Sequence, residues 1–435
     1  MRILTLHATY FTGHWRREHD VRTWGLDPYC DLRPTTPVVA LGDILRALPA
    51  GWTPDLIFLG DDHRLLRVTG LDDAPCPTAM LSLDPVHAAG WQAPLASACD
   101  TVFVAQRDCL SVYEQAGASG ARWLPLWAPD DLPPPEAGKS YGVAFVGALD
   151  RETHRERVAL LGALRARLPL YAVAGPYADV FARAMIVLND GARGELNGRV
   201  FEALGCGAFL LTPRTGNGLL DLFADGQELV TYPRGDVEAL VATAARYLND
   251  ERVRTAIGER GRARVQAGHC ERHRAAEVLA HAARPAAPRP STVRSAGAAR
   301  AYCQLAHEAG RLVGVFPGEP LYPRLRAAYL DAAAALAAGP RLAEPDRRAV
   351  AGLVALTSGR TDEAVAHLAL AAEQGGQLED RLGRIEAFVC AGDLRRARAE
   401  AETLCAAHPD YELGPALVAS LGALAAPEGP EEARP

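Results

Sequence analysis

The pattern that most constrains this chain is a series of short, continuously apolar runs separated by helical segments, laid down twice. The first series comprises Arg2–Leu6, Asp55–Gly60, Thr78–Leu83, Thr101–Ala105 and Ala121–Leu126. A strand with one face in water alternates apolar and polar residues. A run that is apolar throughout has to be buried on both faces, as in a parallel sheet covered by helices. Val38–Leu48 and Leu110–Gln115 supply helical spacing between the runs. This alternation predicts a doubly wound α/β domain over residues 1–130.

The rhythm breaks at Ala128–Ser140, where Pro129, Pro133, Pro134 and Pro135 stand among acidic residues. Such a composition reads as an interdomain linker. It then restarts with strands over Tyr141–Val146, Leu170–Ala174, Ala184–Leu188, Ala208–Thr212 and Glu228–Tyr232, and with helices over Glu152–Leu168 and Arg199–Leu204. Asp236 is placed to cap a further helix. A second α/β unit over 141–282 follows. Residues 283–299 lack periodicity and read as a second linker, and 300–425 is Ala-rich and helical. Within that region Gly359 and Gly392 lie 33 residues apart, as do Ala364 and Ala397. This period predicts a short tetratricopeptide-like array of paired helices, with glycine at the turns and alanine at close helix contacts, and the alternative is a generic helical bundle.

Charge limits the partners. A formal net charge of −7 gives no overall attraction to phosphate backbones, so nucleic acid is not expected as a partner. The nine cysteines include no C-x-x-C pair, which favours reduced thiols over a disulfide framework. Met1–His7 runs straight into a strand-like segment with no leader pattern, and no apolar stretch is long enough to span a bilayer. A cytoplasmic protein is the expectation.

The segment most directly tied to chemistry is Gly194–Thr212, which reads as loop, helix, glycine turn and buried strand. Asn197 is a good N-cap, and Gly198 and Arg199 fall in the first turn, where backbone N–H groups lack partners. A helix start of this kind attracts phosphate, and Arg199 adds a fork of donors. Glu202, three residues on, projects from nearly the same face and is placed to accept hydrogen bonds from a ribose diol. In the first unit, Asp84 and His87 follow an apolar strand, at the edge where open α/β sheets bind ligands; either is a candidate general base. Asp61-Asp62-His63 also follows a strand, but turn or capping roles outweigh metal binding there. His269 and His273 have i, i+4 spacing, yet no third zinc ligand accompanies them.

The string Leu196-Asn-Gly-Arg-Val-Phe-Glu-Ala-Leu-Gly-Cys-Gly-Ala-Phe-Leu-Leu-Thr212 resembles the signature of group 1 glycosyltransferases of the spore-maturation-protein-B-like type. Val143–Gly147 with Arg155 or Arg157, Gly218–Val230, and His269–Arg274 are similar to further segments of that family, as are, more loosely, Asp100–Gln106 and Trp123–Leu126. The resemblance implies a GT-B fold: two Rossmann-like domains, here followed by the all-α repeat region, with a nucleotide sugar held by the second and the acceptor by the first. It implies no metal, and no cofactor beyond the nucleotide sugar as co-substrate. Carried over by position, Gly147, Arg155, Asn197, Arg199 and Glu202 are donor-binding. Retaining relatives carry a glutamate eight positions before the one matched by Glu202; here Gly194 stands there and Glu195 is one residue off register. The expected activity is hexosyl transfer to a hydroxyl, with a protein or peptide acceptor or partner engaged through the helical repeats. The alternatives are an inactive scaffold of the same shape and, more remotely, a nucleotide-sugar epimerase.

Overall fold

In the first unit the continuous apolar runs become strands buried along their length. The computed structural model describes residues 1–425 apart from 137, 153, 192–193, 284–288, 375–377, 410 and 412. The strands of the first lobe are β1 (Arg2–His7), β2 (Asp20–Trp24), β3 (Val39–Ala40), β4 (Leu56–Gly60), β5 (Val68–Thr69), β6 (Thr78–Ser82), β7 (Thr101–Val104) and β8 (Arg122–Trp123). Six of them form a parallel sheet in the order β2-β1-β4-β6-β7-β8, and β3 pairs with β5 as a separate ladder. Strands β4, β6 and β7 are buried at every position, which is why their sequences show no alternation. Strand β2 escapes the apolar-run criterion because it lies at the sheet edge and keeps polar residues there.

The second lobe holds β9 (Tyr141–Val146), β10 (Leu170–Val173), β11 (Ala184–Leu188), β12 (Phe209–Pro213) and β13 (Val230–Tyr232), all parallel, in the order β10-β9-β11-β12-β13. Each sheet therefore reverses its strand order once, between β1 and β4 in the first lobe and between β9 and β11 in the second. A crevice opens at the carboxyl ends of the strands at such a reversal, and it is where open α/β sheets take ligands. The fold is two Rossmann-like lobes followed by an all-helical region, the GT-B-type arrangement expected.

Two boundaries differ from the sequence reading. The helix Glu271–Ala282, placed by sequence order in the second unit, packs on the first lobe: Ala275, Val278 and Ala282 complete the core around Phe11, Trp15 and Phe58, and the Trp15 indole donates to the Ala275 carbonyl at 3.0 Å. The chain thus crosses between lobes twice, side by side, with Ala128 bonded to His269 and Glu271 through its backbone. The second linker is also shorter than its composition suggests. Residues 284–288 lie outside the described residues, but a helix already begins at Ser291 and runs to Val315. Its small residues permit close approach to the helix Pro85–Ala96, since a Cβ at Gly297 would collide with Ser97 and the Pro94 carbonyl.

This helix and the next, Leu321–Ala338, belong to the first lobe's core rather than to a separate appendage. The fully buried Tyr302 accepts from the Gly70 amide at 2.8 Å, Ser295 donates to Asp72 at 2.8 Å, and Arg294 pairs with Asp100 at 2.8 Å. Beyond them, Glu344–Thr357 pairs with Thr361–Glu373, and Leu378–Cys390 with Leu394–Ala407. Gly359 and Gly392 occupy the two turns with φ of 78° and 75°, and Ala364 and Ala397 are fully buried. The 33-residue period is thus a repeat of helical hairpins. Among the described residues no helix is long and apolar enough to cross a membrane.

Candidate functional site at the facing crevices

The second lobe's crevice is built around Arg199. Strands β9 and β11 part at Val146 and Leu188, and the helix Gly198–Gly205 starts beside the gap. Arg199, in its first turn, donates from Nε to the Val146 carbonyl (2.8 Å) and from Nη1 to Asn189 Oδ1 (2.8 Å) and the Asp190 carbonyl (3.3 Å). Its guanidinium lies 4.5 Å from the Phe145 ring centroid. A Cβ at Gly147 would collide with Nη2, so only glycine lets the guanidinium sit at the strand end. Burial, assisted by the neighbouring charge of Arg157, lowers the Arg199 pKa to about 10, which leaves it protonated at neutral pH.

Asn197 stands at the N-cap with extended backbone, as expected, but its side chain does not cap. Its amide donates instead to Asn189 Oδ1 at 3.1 Å, while Asn189 Nδ2 donates to Thr212 at 3.0 Å. The buried Asn189 therefore gathers Asn197 and Arg199 on one oxygen, and among the described residues no side chain caps the first-turn amides of the helix. Two guanidiniums flank this helix start. Arg157 binds Asp190 at 3.1 Å and the Ala148 carbonyl at 3.3 Å, and its guanidinium lies 5.6 Å from the Phe145 ring centroid. Arg155, the alternative taken from the resemblance, is exposed at the first position of the helix Arg155–Arg165.

Glu202 lies half-buried one turn further along. Burial raises its pKa, the charge of Arg199 opposes that rise, and the Tyr177 hydroxyl hydrogen-bonds its carboxylate. One end of the site is thus cationic and rich in amide donors. The other end is a carboxylate acceptor.

The first lobe presents Asp84 and His87 across the gap. The turn that carries them is fixed by Asp61, which accepts from the amides of Leu83 (3.1 Å) and Asp84 (3.2 Å) and from Gln92 Nε2 (2.9 Å). Asp62 turns the other way, to His7 Nδ1 at 3.5 Å, so the acidic pair serves the loops as its sequence suggested. His87, half-exposed, faces the more buried Glu195 of the second lobe at 3.3 Å. Asp84, His87 and Glu195 bring ligand atoms within 4.8 Å of one another; two carboxylates and an imidazole are a plausible divalent-cation set as well as a proton-transfer set.

The loop bearing Glu195 is held from both sides. Gln106 bonds the backbone of Leu196 twice, at 2.9 and 3.1 Å. Asn217 exchanges hydrogen bonds with Asp108 at 3.0 Å each way and donates to the Gly194 carbonyl at 3.1 Å. Sequence reasoning passed over Gln106, Tyr177, Asn189, Asp190 and Asn217. A positional signal was available for two of them: Gln106 and Asn189 directly follow the apolar runs that become β7 and β11. His269 and His273 do not form a metal pair. His269 Nδ1 meets Arg274 at 2.9 Å, and His273 Nδ1 accepts the Cys270 amide as a helix cap.

Residues 143–280 match the family model described as glycosyl transferase-like. The matched span contains Arg157, the Gly198–Gly205 helix and Glu202, that is, the whole second-lobe crevice. No curated protein matches the chain. Similar solved structures include Anabaena HepE in complex with UDP (13% identity, 64% of this chain and 99% of that one, TM-score 0.49). Others are a sucrose-phosphate synthase from Thermosynechococcus elongatus (13%, 64% and 97%, 0.45) and a glycosyltransferase from Rickettsia africae (9%, 64% and 97%, 0.45).

Proposed function

We propose that this protein is a glycosyltransferase that moves a sugar, of hexosyl type, from a nucleoside diphosphate donor to a hydroxyl acceptor. The observation that carries the reading is the helix start at Asn197, whose own side chain does not cap it, flanked by Arg199 and Arg157 and followed one turn later by Glu202. A diphosphate fits the amide end, where the helix dipole and two guanidiniums stabilise negative charge. A ribose diol fits the carboxylate end. As the bond from the anomeric carbon to the diphosphate breaks, its electron pair passes to the leaving group, and charge grows where the donors already point. His87 takes the acceptor's hydroxyl proton as the oxygen bonds to the anomeric carbon, and Glu195 orients the imidazole and stabilises its protonated form.

Several finer points belong to the same reading. Transfer needs no metal and no further cofactor, the protein works in the cytoplasm, and the helical hairpins are tetratricopeptide-like and present a surface to a protein or peptide partner. Titration with UDP tests the core of it. Glu202→Ala is expected to weaken UDP binding at least tenfold, and wild-type affinity should decline as pH falls through the raised Glu202 pKa, because only the carboxylate accepts both diol hydrogens. Unchanged affinity in Glu202→Ala discards the assignment. Transfer abolished by EDTA and restored by a divalent cation would instead make Asp84, His87 and Glu195 a metal site.

A further inference from the structure

The first lobe's crevice is not closed by that lobe alone. It is a cavity of about 650 Å³ between the turns after β4 and β6 and the helical region, and Leu312, Leu321, Tyr322 and Leu325 form its outer wall. Asp84 and His87 stand at the reacting end, and His63, Arg64 and Arg67 come from the loop after β4. The apolar wall extends outward, since the exposed Phe316 stacks on Tyr322 with ring centroids 5.7 Å apart.

The charges in this cavity are unevenly satisfied. Asp61 is saturated by backbone amides and Gln92, as described above. Asp62 is shared between His7 at 3.5 Å and Arg64 at 3.7 Å. The Arg67 backbone N–H donates to His7 Nε2 at 3.0 Å, which puts the imidazole proton on Nδ1, towards Asp62, and fixes the loop as a wall. The Arg67 side chain is half-buried, and among the described residues no carboxylate lies within ion-pair distance of it. A partly desolvated guanidinium beside apolar surface favours an anion, above all one that can be gripped by two N–H groups.

We propose that the cavity is the acceptor subsite for an anionic amphiphile: a molecule that offers a hydroxyl to His87, sets a carboxylate or phosphate on Arg67, and lays apolar surface against Leu312, Tyr322 and Leu325. The word acceptor rests on the transferase reading; the binding chemistry does not. The role of the helical region changes accordingly, because its first two helices supply the apolar wall of Leu312, Leu321, Tyr322 and Leu325.

Calorimetric titration of the full chain with three small phenols tests this. 4-Hydroxyphenylacetate and 4-hydroxyphenyl phosphate carry the two kinds of anion, and 2-(4-hydroxyphenyl)ethanol is neutral. At least one anion is expected to bind ten times more tightly than the neutral phenol, and the stronger of the two identifies the head group. Arg67→Gln should erase the preference, and Tyr322→Ala should weaken all three. Equal affinity for the charged and neutral phenols in the wild type, no binding of any, or a preference that survives Arg67→Gln overturns the proposal. UDP titrated into the same samples reports on the Glu202 site separately. A wild type that binds UDP but shows no anion preference sinks only the acceptor assignment, and one that prefers the anions but does not bind UDP sinks only the donor reading.

Discussion

Replacing Arg199 with lysine keeps the positive charge in the second-lobe crevice while removing the fork that ties it to the strand ends. In the structure Nε serves the Val146 carbonyl, and Nη1 serves Asn189 Oδ1 and the Asp190 carbonyl. A lysine ammonium can approach the last two, but it has no donor at the Nε position. Loss of the donor at a buried carbonyl costs about 1–3 kcal/mol, and loss of the planar contact with Phe145 about 0.5–2 kcal/mol. A destabilisation of about 1.5–5 kcal/mol corresponds to a melting temperature lower by roughly 3–20 °C for domains of this size. Scanning calorimetry without ligand reads that shift, and UDP titration reads the ligand side. Because most of the fork is engaged by the protein itself and lysine keeps the charge, UDP affinity should weaken by about tenfold or less, the loss of one ordinary hydrogen bond of about 0.5–1.5 kcal/mol. A variant that melts with the wild type yet binds UDP a hundredfold more weakly would refute this reasoning and make Arg199 a direct phosphate ligand with little structural role.

Two further outcomes follow from burial. His269 is held neutral, its pKa lowered from the usual 6.5 to about 3, first by burial and then by the charge of Arg274. Below pH 6.5 the unfolded chain binds a proton at this residue that the native state refuses, so its contribution is complete above 6.5 and lost progressively towards pH 3. His269→Gln, which keeps an acceptor for Arg274, should flatten the urea-measured loss of stability across that window, and an unchanged slope would contradict the assignment. Truncation before Ser291 should leave the first lobe unable to fold, because it strips away Tyr302 and Tyr329, both fully buried, along with the Gly70 and Asp72 hydrogen bonds. Each large side chain re-exposed costs about 1.5–3 kcal/mol against a typical margin of about 5–15 kcal/mol. A soluble 1–283 fragment with native near-UV circular dichroism would show instead that the helical region is separable.

What the sequence determined by itself was whatever depends on local pattern. Continuous apolar runs can only be strands buried on both faces, so two parallel sheets and their order of appearance were legible, as were the helix start at Asn197, the cap at Asp236 and the paired helices turning at Gly359 and Gly392. Residue chemistry at a recognisable helix start also marked Arg199 and Glu202. Tertiary structure alone decided where those groups point and what they meet. Asn197 turns from its own helix to Asn189, and Arg157 joins the Phe145 platform while Arg155 faces solvent. Glu195, displaced by one residue from the family pattern, meets His87 from the other lobe. The helix Glu271–Ala282 and the first two helices of the C-terminal region bury their small-residue faces on the first lobe, far from it in sequence. Several of these pairings join residues far apart in the chain, Trp15 and Ala275 being 260 positions apart. They are set by which surfaces fit together when the lobes close, and no local spacing records that.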